Sequence, residues 1–223
     1  DFIAVRERLF KKSSSYALAK IIIESYDAGF PPSSILSFNA EPLLYSLINS
    51  FERERVIIES NSQVRDLVDL ITISIASKAK GRIPYYFCHG ALLSNLSEKP
   101  DKRLQSTSKL VFSESSYLQI ANTSFSWQSV NFLSLCANTA VIFIGVSLSD
   151  PNMRKWLTWI QNERSKDIQE ETDSTQHFWI NKLPEFKESI PWIESSVLHL
   201  GIRVIWIENW DEVENTMRKL LGL

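Results

Sequence analysis

Val141-Ile-Phe-Ile-Gly-Val-Ser-Leu-Ser-Asp-Pro-Asn152 decides how this chain reads. The run from Val141 to Ile144 is wholly apolar and rich in β-branched residues, the pattern of a central parallel strand covered on both faces. Gly145 has no Cβ and admits close approach of a backbone or a ligand. Ser147, Ser149 and Asp150 bring hydroxyl and carboxylate oxygens. Pro151 suits the first turn of a helix, so Asp150 is the natural N-cap, with the helix running on through Met153, Trp156, Leu157 and Ile160. Open α/β sheets bind ligands at such strand ends, where helix N-termini favour anions. A strand–Gly–Ser–helix turn also serves as a plain connection, and both readings stand on these residues alone.

Working outward, further strands alternate with helices. Residues 1 to about 29 read as a helix stopped by Gly29 and Pro31-Pro32. A short strand at 34–38 passes through Asn39-Ala-Glu41 into a helix opened by Pro42. Residues 49–65 are charged and without clear pattern, and 64–79 reads as a helix or a strand–helix mixture. Ile83 to Cys88 is a strand ending at His89-Gly90, and Leu110 to Phe112 another. Helices are expected over 127–137 and 151–162, strands over 177–180 and 202–207, and a closing helix over 211–221. Residues 94–109 and 163–176 are polar and read as loops. The alternation predicts an α/β, mostly parallel sheet with helices on both faces. Four strands then end in polar turns at Asn39, His89, Gly145 and Asn181, and a parallel sheet gathers such ends at one crevice.

Composition excludes several classes. The chain has 223 residues, 44 % hydrophobic and 22 % charged, with a net charge of −2, which is ordinary for one sizeable globular domain. The basic surplus of a nucleic-acid binder is missing, so no direct nucleic-acid contact is expected. The clusters at Lys11-Lys12 and Lys99–Arg103 read as solvated surface. Cys88 and Cys136 lie in apolar runs and read as buried small hydrophobes, in a reducing compartment or simply without need of a disulfide, and a cytoplasmic location is expected. No C-x-x-C pair exists to build a structural zinc site, and no apolar run reaches membrane-spanning length.

These residues together resemble the sirtuins, and more closely the sirtuin-like domains of bacterial anti-phage effectors. Ser37-Phe-Asn39-Ala-Glu41 is similar to the family's T-x-N-x-D turn, His89-Gly90 to its H-G dipeptide, and Gly145 to Asn152 to its G-x-S-[LF]-x-[DP]-P-N motif. Leu110-Val-Phe-Ser-Glu114-Ser-Ser-Tyr117 is similar to its L-V-x-[ST]-E-x-x-Y element, and His177-Phe-Trp-Ile-Asn181 to its later strand. The resemblance spans about residues 34–221 and treats 1–223 as a single sirtuin-like domain.

The resemblance implies a Rossmann-like NAD-binding domain, with NAD+ as substrate and cleavage of its nicotinamide–ribose bond. It implies His89 as general base and Asn39 as the amide that orients the attacking water. Gly145 and Ser147 would meet the phosphates or nearby ribose, and Asn181, Glu208 and Asn209 the adenosine end. Each residue also has a structural reading: a core or capping role for His89, an Asx-turn for Asn39. His177, His199 and the tryptophans at 156, 159, 179, 192, 206 and 210 read as structural, core or interface residues.

Two departures shape the expectation. Glu41 stands where the family has Asp, and the family's G-A-G-x-S phosphate loop has no counterpart here, Gly29 being the first glycine. Either this chain lacks the N-terminal Gly-rich strand-loop, which is the expectation, or the protein has lost NAD chemistry. The four zinc-binding cysteines of deacetylating sirtuins are also missing, so no zinc is expected and a protein deacylase is disfavoured. The leading expectation is an NAD+ hydrolase acting in abortive infection, as a homo-oligomer beside an Argonaute-like, ATPase or sensor partner or domain. A catalytically inactive nucleotide-binding scaffold or sensor is the alternative.

Overall fold

A computed structural model describes residues 11, 13–58, 67–71, 81–92, 126–167 and 176–223, with side chains omitted at 56–58 and 165–167. They fall into two compact units, one within Asp1–Leu118 and Val213–Leu223, the other within Gln119–Glu212.

In the first unit, helix α1 (Ser14–Asp27) starts where the Ser13 hydroxyl accepts the Tyr16 N–H at 3.2 Å. It stops at Gly29, whose φ of +87° is left-handed, followed by two prolines. Strand β1 (Ile35–Ser37) leads to α2 (Leu43–Ile58), then come β2 (Val68–Ile71) and β3 (Ile83–Phe87). The three strands are parallel in the order β1-β3-β2, and every residue of the central β3 is buried. Tyr16, Ala19 and Ile22 of α1 and Leu47 and Ile48 of α2 join Tyr85 and Phe87 in one core cluster. The sequence 64–79, undecided between helix and strand, holds a strand at 68–71, while its flanks lie outside the described residues.

The second unit contains α3 (Trp127–Asn138), β4 (Ile142–Ile144), α4 (Pro151–Asp167), β5 (His177–Lys182), α5 (Ile190–Leu198) and β6 (Ile202–Ile207). Short 3₁₀ turns at Lys187–Ser189 and Trp210–Glu212 complete it. Its strands are also parallel, in the order β4-β5-β6. Phe132 of α3 lies 6.3 Å from Phe143 and 5.6 Å from Trp156 between ring centroids, so α3, β4 and α4 share one core. Helix α6 (Val213–Leu221) belongs to the first unit and packs on α1 through buried Val213 and Met217. Parallel strands alternating with helices make this a Rossmann-like α/β fold.

The structure adjusts several expectations. Among the described strands of its unit β4 stands at one end, with Ile142 and Ile144 only partly buried, and β5 takes the centre. Strands β1 and β3 stop one residue earlier than expected, at Ser37 and Phe87. Strand β5 runs two residues beyond Ile180, so Asn181 sits inside the strand, paired with Trp206. Backbone ladders form without regard to side-chain polarity, and the Leu183 N–H extends this one to the Ile207 carbonyl at 2.8 Å. Helix α4 continues through 163–167, where a loop was expected, and the Arg164 guanidinium donates to the Ala137 carbonyl at 2.8 Å. The expected elements at 94–109 and Leu110–Tyr117 lie outside the described residues.

Candidate functional site

In the first unit, strand pairing continues past the strand ends. Ser37 pairs with Phe87 in register, the Cys88 N–H donates to the Ser37 carbonyl at 2.9 Å, and the Leu92 N–H donates to the Ala40 carbonyl at 2.7 Å. The turns that follow β1 and β3 are thereby zipped side by side. Asn39 and His89 stand on these two turns, Asn39 exposed and His89 half-buried. The Phe38 and His89 rings meet edge to face, 5.5 Å between centroids and 78° between planes. The Ser37 hydroxyl donates to the Asn39 carbonyl at 3.0 Å, fixing the first turn.

Beneath these turns lies an aromatic floor. Tyr85 packs 4.8 Å from Phe87 and 5.7 Å from Tyr45 between centroids. Burial pushes the Tyr85 phenol up to about 12, against a lowering hydrogen bond from Ser37 and with a small further rise from the Glu41 carboxylate. Tyr85 therefore stays neutral and structural. Burial likewise pushes the Cys88 and Cys136 thiols up to about 12, which leaves neither as a thiolate nucleophile.

In the second unit, Gly145, Asn181 and Glu208 lie at the carboxyl edge of the parallel sheet. Gly145 has a φ of +68°, and a Cβ built on it would meet nothing within 4 Å, so its turn is open on that side. The exposed Ser147 and Ser149 hydroxyls share a hydrogen bond of 2.7 Å. Asp150 caps α4 as expected, its Oδ1 accepting the Asn152 N–H at 2.8 Å. The Asn181 Oδ1 accepts the Lys182 N–H at 2.9 Å. At the end of β6, the Glu212 carboxylate accepts the Asn209 N–H at 3.0 Å while the Asn209 carbonyl accepts the Glu212 N–H at 3.1 Å, and Glu208 is exposed.

The sequence-based site residues thus divide between the units, Asn39 and His89 in the first and Gly145, Ser147, Asn181, Glu208 and Asn209 in the second. His177 is at the opposite, amino end of β5. It is 2 % exposed, and its Nδ1 accepts the Val141 N–H at 3.2 Å. Burial, with Arg164 nearby, pushes its pKa down to about 4, so it is a neutral structural histidine. Of the tryptophans, Trp156 and Trp179 are buried, whereas Trp159 and Trp192 are 52 % and 79 % exposed. The sequence alone gives Phe38 and Arg154 no role and reads Trp179 as core or interface. Yet the Trp179 indole N–H donates to the Val146 carbonyl at 2.9 Å and so also braces the glycine turn.

Among the described residues, no group of three or more His, Cys, Asp or Glu is placed to hold a metal ion, and no helix is long and apolar enough to cross a membrane. Residues 35–203 match the family model described as SIR2-like domain. No curated protein matches the chain. SIR2-like domains use NAD+.

Proposed function

The chain belongs to the SIR2-like domain family, and we propose that it is an NAD+ hydrolase, releasing nicotinamide and ADP-ribose. The observation that carries the proposal is the side-by-side placement of Asn39 and His89 on two zipped turns at the carboxyl ends of neighbouring parallel strands. Elements far apart in sequence are needed to bring an amide and an imidazole to one place.

Hydrolysis breaks the bond between the ribose C1′ and the nicotinamide nitrogen as positive charge develops on the sugar, and a water oxygen bonds to C1′. Nicotinamide leaves neutral with the bonding electron pair. We assign the Asn39 amide to orient that water without adding charge. His89 accepts the proton the water loses and returns it to solvent. The edge contact with Phe38 fixes the plane in which the imidazole works. Gly145 and Ser147 take the phosphates or adjoining ribose, Gly145 because its backbone can be approached closely. Asn181, Glu208 and Asn209 take the adenosine end, where a carboxylate and an amide suit ribose hydroxyls and ring nitrogens. The resemblance to anti-phage effectors supports, within the same proposal, a cytoplasmic defence enzyme that acts as a homo-oligomer with a partner protein or domain.

The test is NAD+ consumption by the full-length protein, beside Asn39→Ala and His89→Ala. Nicotinamide release abolished by both substitutions is the expected result. NAD+ bound without turnover would instead favour a nucleotide-binding scaffold, and no binding would remove NAD+ from the reading.

A further inference from the structure

We propose that Arg154 is a positioning residue for the Gly145–Asp150 turn and, through it, for the diphosphate of NAD+, and is not itself a phosphate ligand. The inference rests on the proposed dinucleotide site at that turn.

An arginine in the first turn of a helix that follows a Gly/Ser turn invites reading as an anion ligand. The geometry engages both of its Nη atoms with backbone carbonyls instead. Nη1 donates to the Leu148 carbonyl at 3.2 Å and Nη2 to the Ser196 carbonyl at 2.7 Å. Both acceptors are backbone groups in need of a donor. Ser196 lies in the last turn of α5, where carbonyls lack intrahelical partners. The neighbouring Val197 and Leu198 carbonyls accept from the Leu200 and Gly201 N–H groups at 2.9 Å, and Ser196 is served by Arg154. A cation there also suits the negative end of the helix dipole.

Leu148 is the more telling partner. Its φ is +52°, a left-handed conformation that costs a side chain with a Cβ about 1–2 kcal/mol. Its side chain is 2 % exposed, so the residue is anchored inward while its backbone is strained. Two side chains from outside the turn brace its carbonyls: Trp179 at Val146 and Arg154 at Leu148. A carbonyl oxygen facing a diphosphate would repel it. With two carbonyls engaged by the unit's own donors, Gly145, Ser147 and Ser149 remain on the exposed side. The planar fork of arginine can span the turn and α5 at once, which the single ammonium of lysine cannot.

The test compares the intact protein with Arg154→Lys, Arg154→Met and Trp179→Phe, the last of which removes one neutral N–H. Amide hydrogen exchange is read without ligand, and NAD+ affinity and turnover are read across ionic strengths. Expected are faster exchange in 145–150 and 193–200 for both Arg154 variants, and faster exchange in 145–150 for Trp179→Phe. KM should rise about tenfold for both Arg154 variants with kcat little changed, because the fork that ties the turn to α5 is lost but no reacting group is. Trp179→Phe should shift KM the same way, and the salt dependence of NAD+ affinity should match the parent in all three. Lysine restoring affinity, or a weakened salt dependence in Arg154→Met, would make Arg154 a phosphate ligand and overturn the proposal. Unchanged exchange in 145–150 would overturn it whatever NAD+ does. Failure of the parent protein to bind NAD+ is a separate result, which removes the site reading and the proposal with it.

Discussion

The imidazole of His89 meets the Phe38 ring edge-on at 5.5 Å, a contact between residues that follow two different strands. It exists because β1 and β3 pair in parallel and their turns stay paired beyond the sheet, through Cys88 with Ser37 and Leu92 with Ala40. Phe38→Leu keeps the site apolar and removes the ring. Aromatic edge contacts are worth about 0.5–1.5 kcal/mol, so on the hydrolase reading kcat should fall about two- to tenfold, with KM little affected. Steady-state nicotinamide release measures this, and an unchanged kcat would mean that the imidazole needs no such support.

Gly145 and Gly29 form a matched pair. Both have left-handed φ, +68° and +87°, and a Cβ at either meets nothing within 4 Å. Alanine at each position should therefore cost only backbone strain, about 1–2 kcal/mol in denaturant unfolding. Only Gly145→Ala should weaken NAD+ binding as well. Equal affinity losses at the two positions would show that the effect is global.

His177 sets an acid limit on stability. Its folded pKa, about 4, lies below the ordinary value of 6.5, so the unfolded chain binds the extra proton between those values. The contribution is full above about pH 6.5 and disappears as pH falls towards 4. Its ceiling is ~3 kcal/mol, from the shift at ~1.4 kcal/mol per unit. Urea midpoints for the parent and His177→Gln should converge as pH is lowered from 7 to 4.5. Parallel curves would show that another group carries the acid sensitivity.

Two arginines in the first unit should behave differently. Arg55 pairs with Asp27 and with Glu52, whose side chain is 2 % exposed and 3.0 Å from the guanidinium. Arg218 ties α6 to α1 through Glu24 at 2.5 Å and pairs with Glu214 at 3.1 Å, all three side chains being about a third exposed. Arg55→Ala leaves a carboxylate buried without its partner and should cost about 3–5 kcal/mol. Arg218→Ala should cost about 1 kcal/mol or less, and added salt should shrink that loss. Chemical denaturation at low and high ionic strength separates the two cases.

Much of the fold was legible because its signals are local. The apolar β-branched runs at 142–144 and 202–207, the Pro151 helix start with its Asp150 cap, and the left-handed stop at Gly29 all stand where residue type alone places them. The misreadings fall where a longer-range interaction overrode local chemistry. Asn181 reads as a turn residue, yet the ladder with β6 carries it as strand. Residues 163–167 read as loop, yet they continue α4, with Arg164 donating to the Ala137 carbonyl at the end of α3.

By itself the sequence determined the alternation of strands and helices, the family to which its ordered motifs are similar, and which residue types stand at the strand ends. The alternation and the strand-end residues follow from side-chain hydrophobicity, backbone preference and spacing, all carried within a few residues. The tertiary structure decided which turns become neighbours, since strand order is fixed by pairing between distant segments: β3 enters between β1 and β2 and brings His89 to Phe38 and Asn39. It also decided what Arg154 does. A guanidinium in a helix's first turn is compatible with a phosphate ligand, and only the folded chain sets the Leu148 and Ser196 carbonyls within its reach.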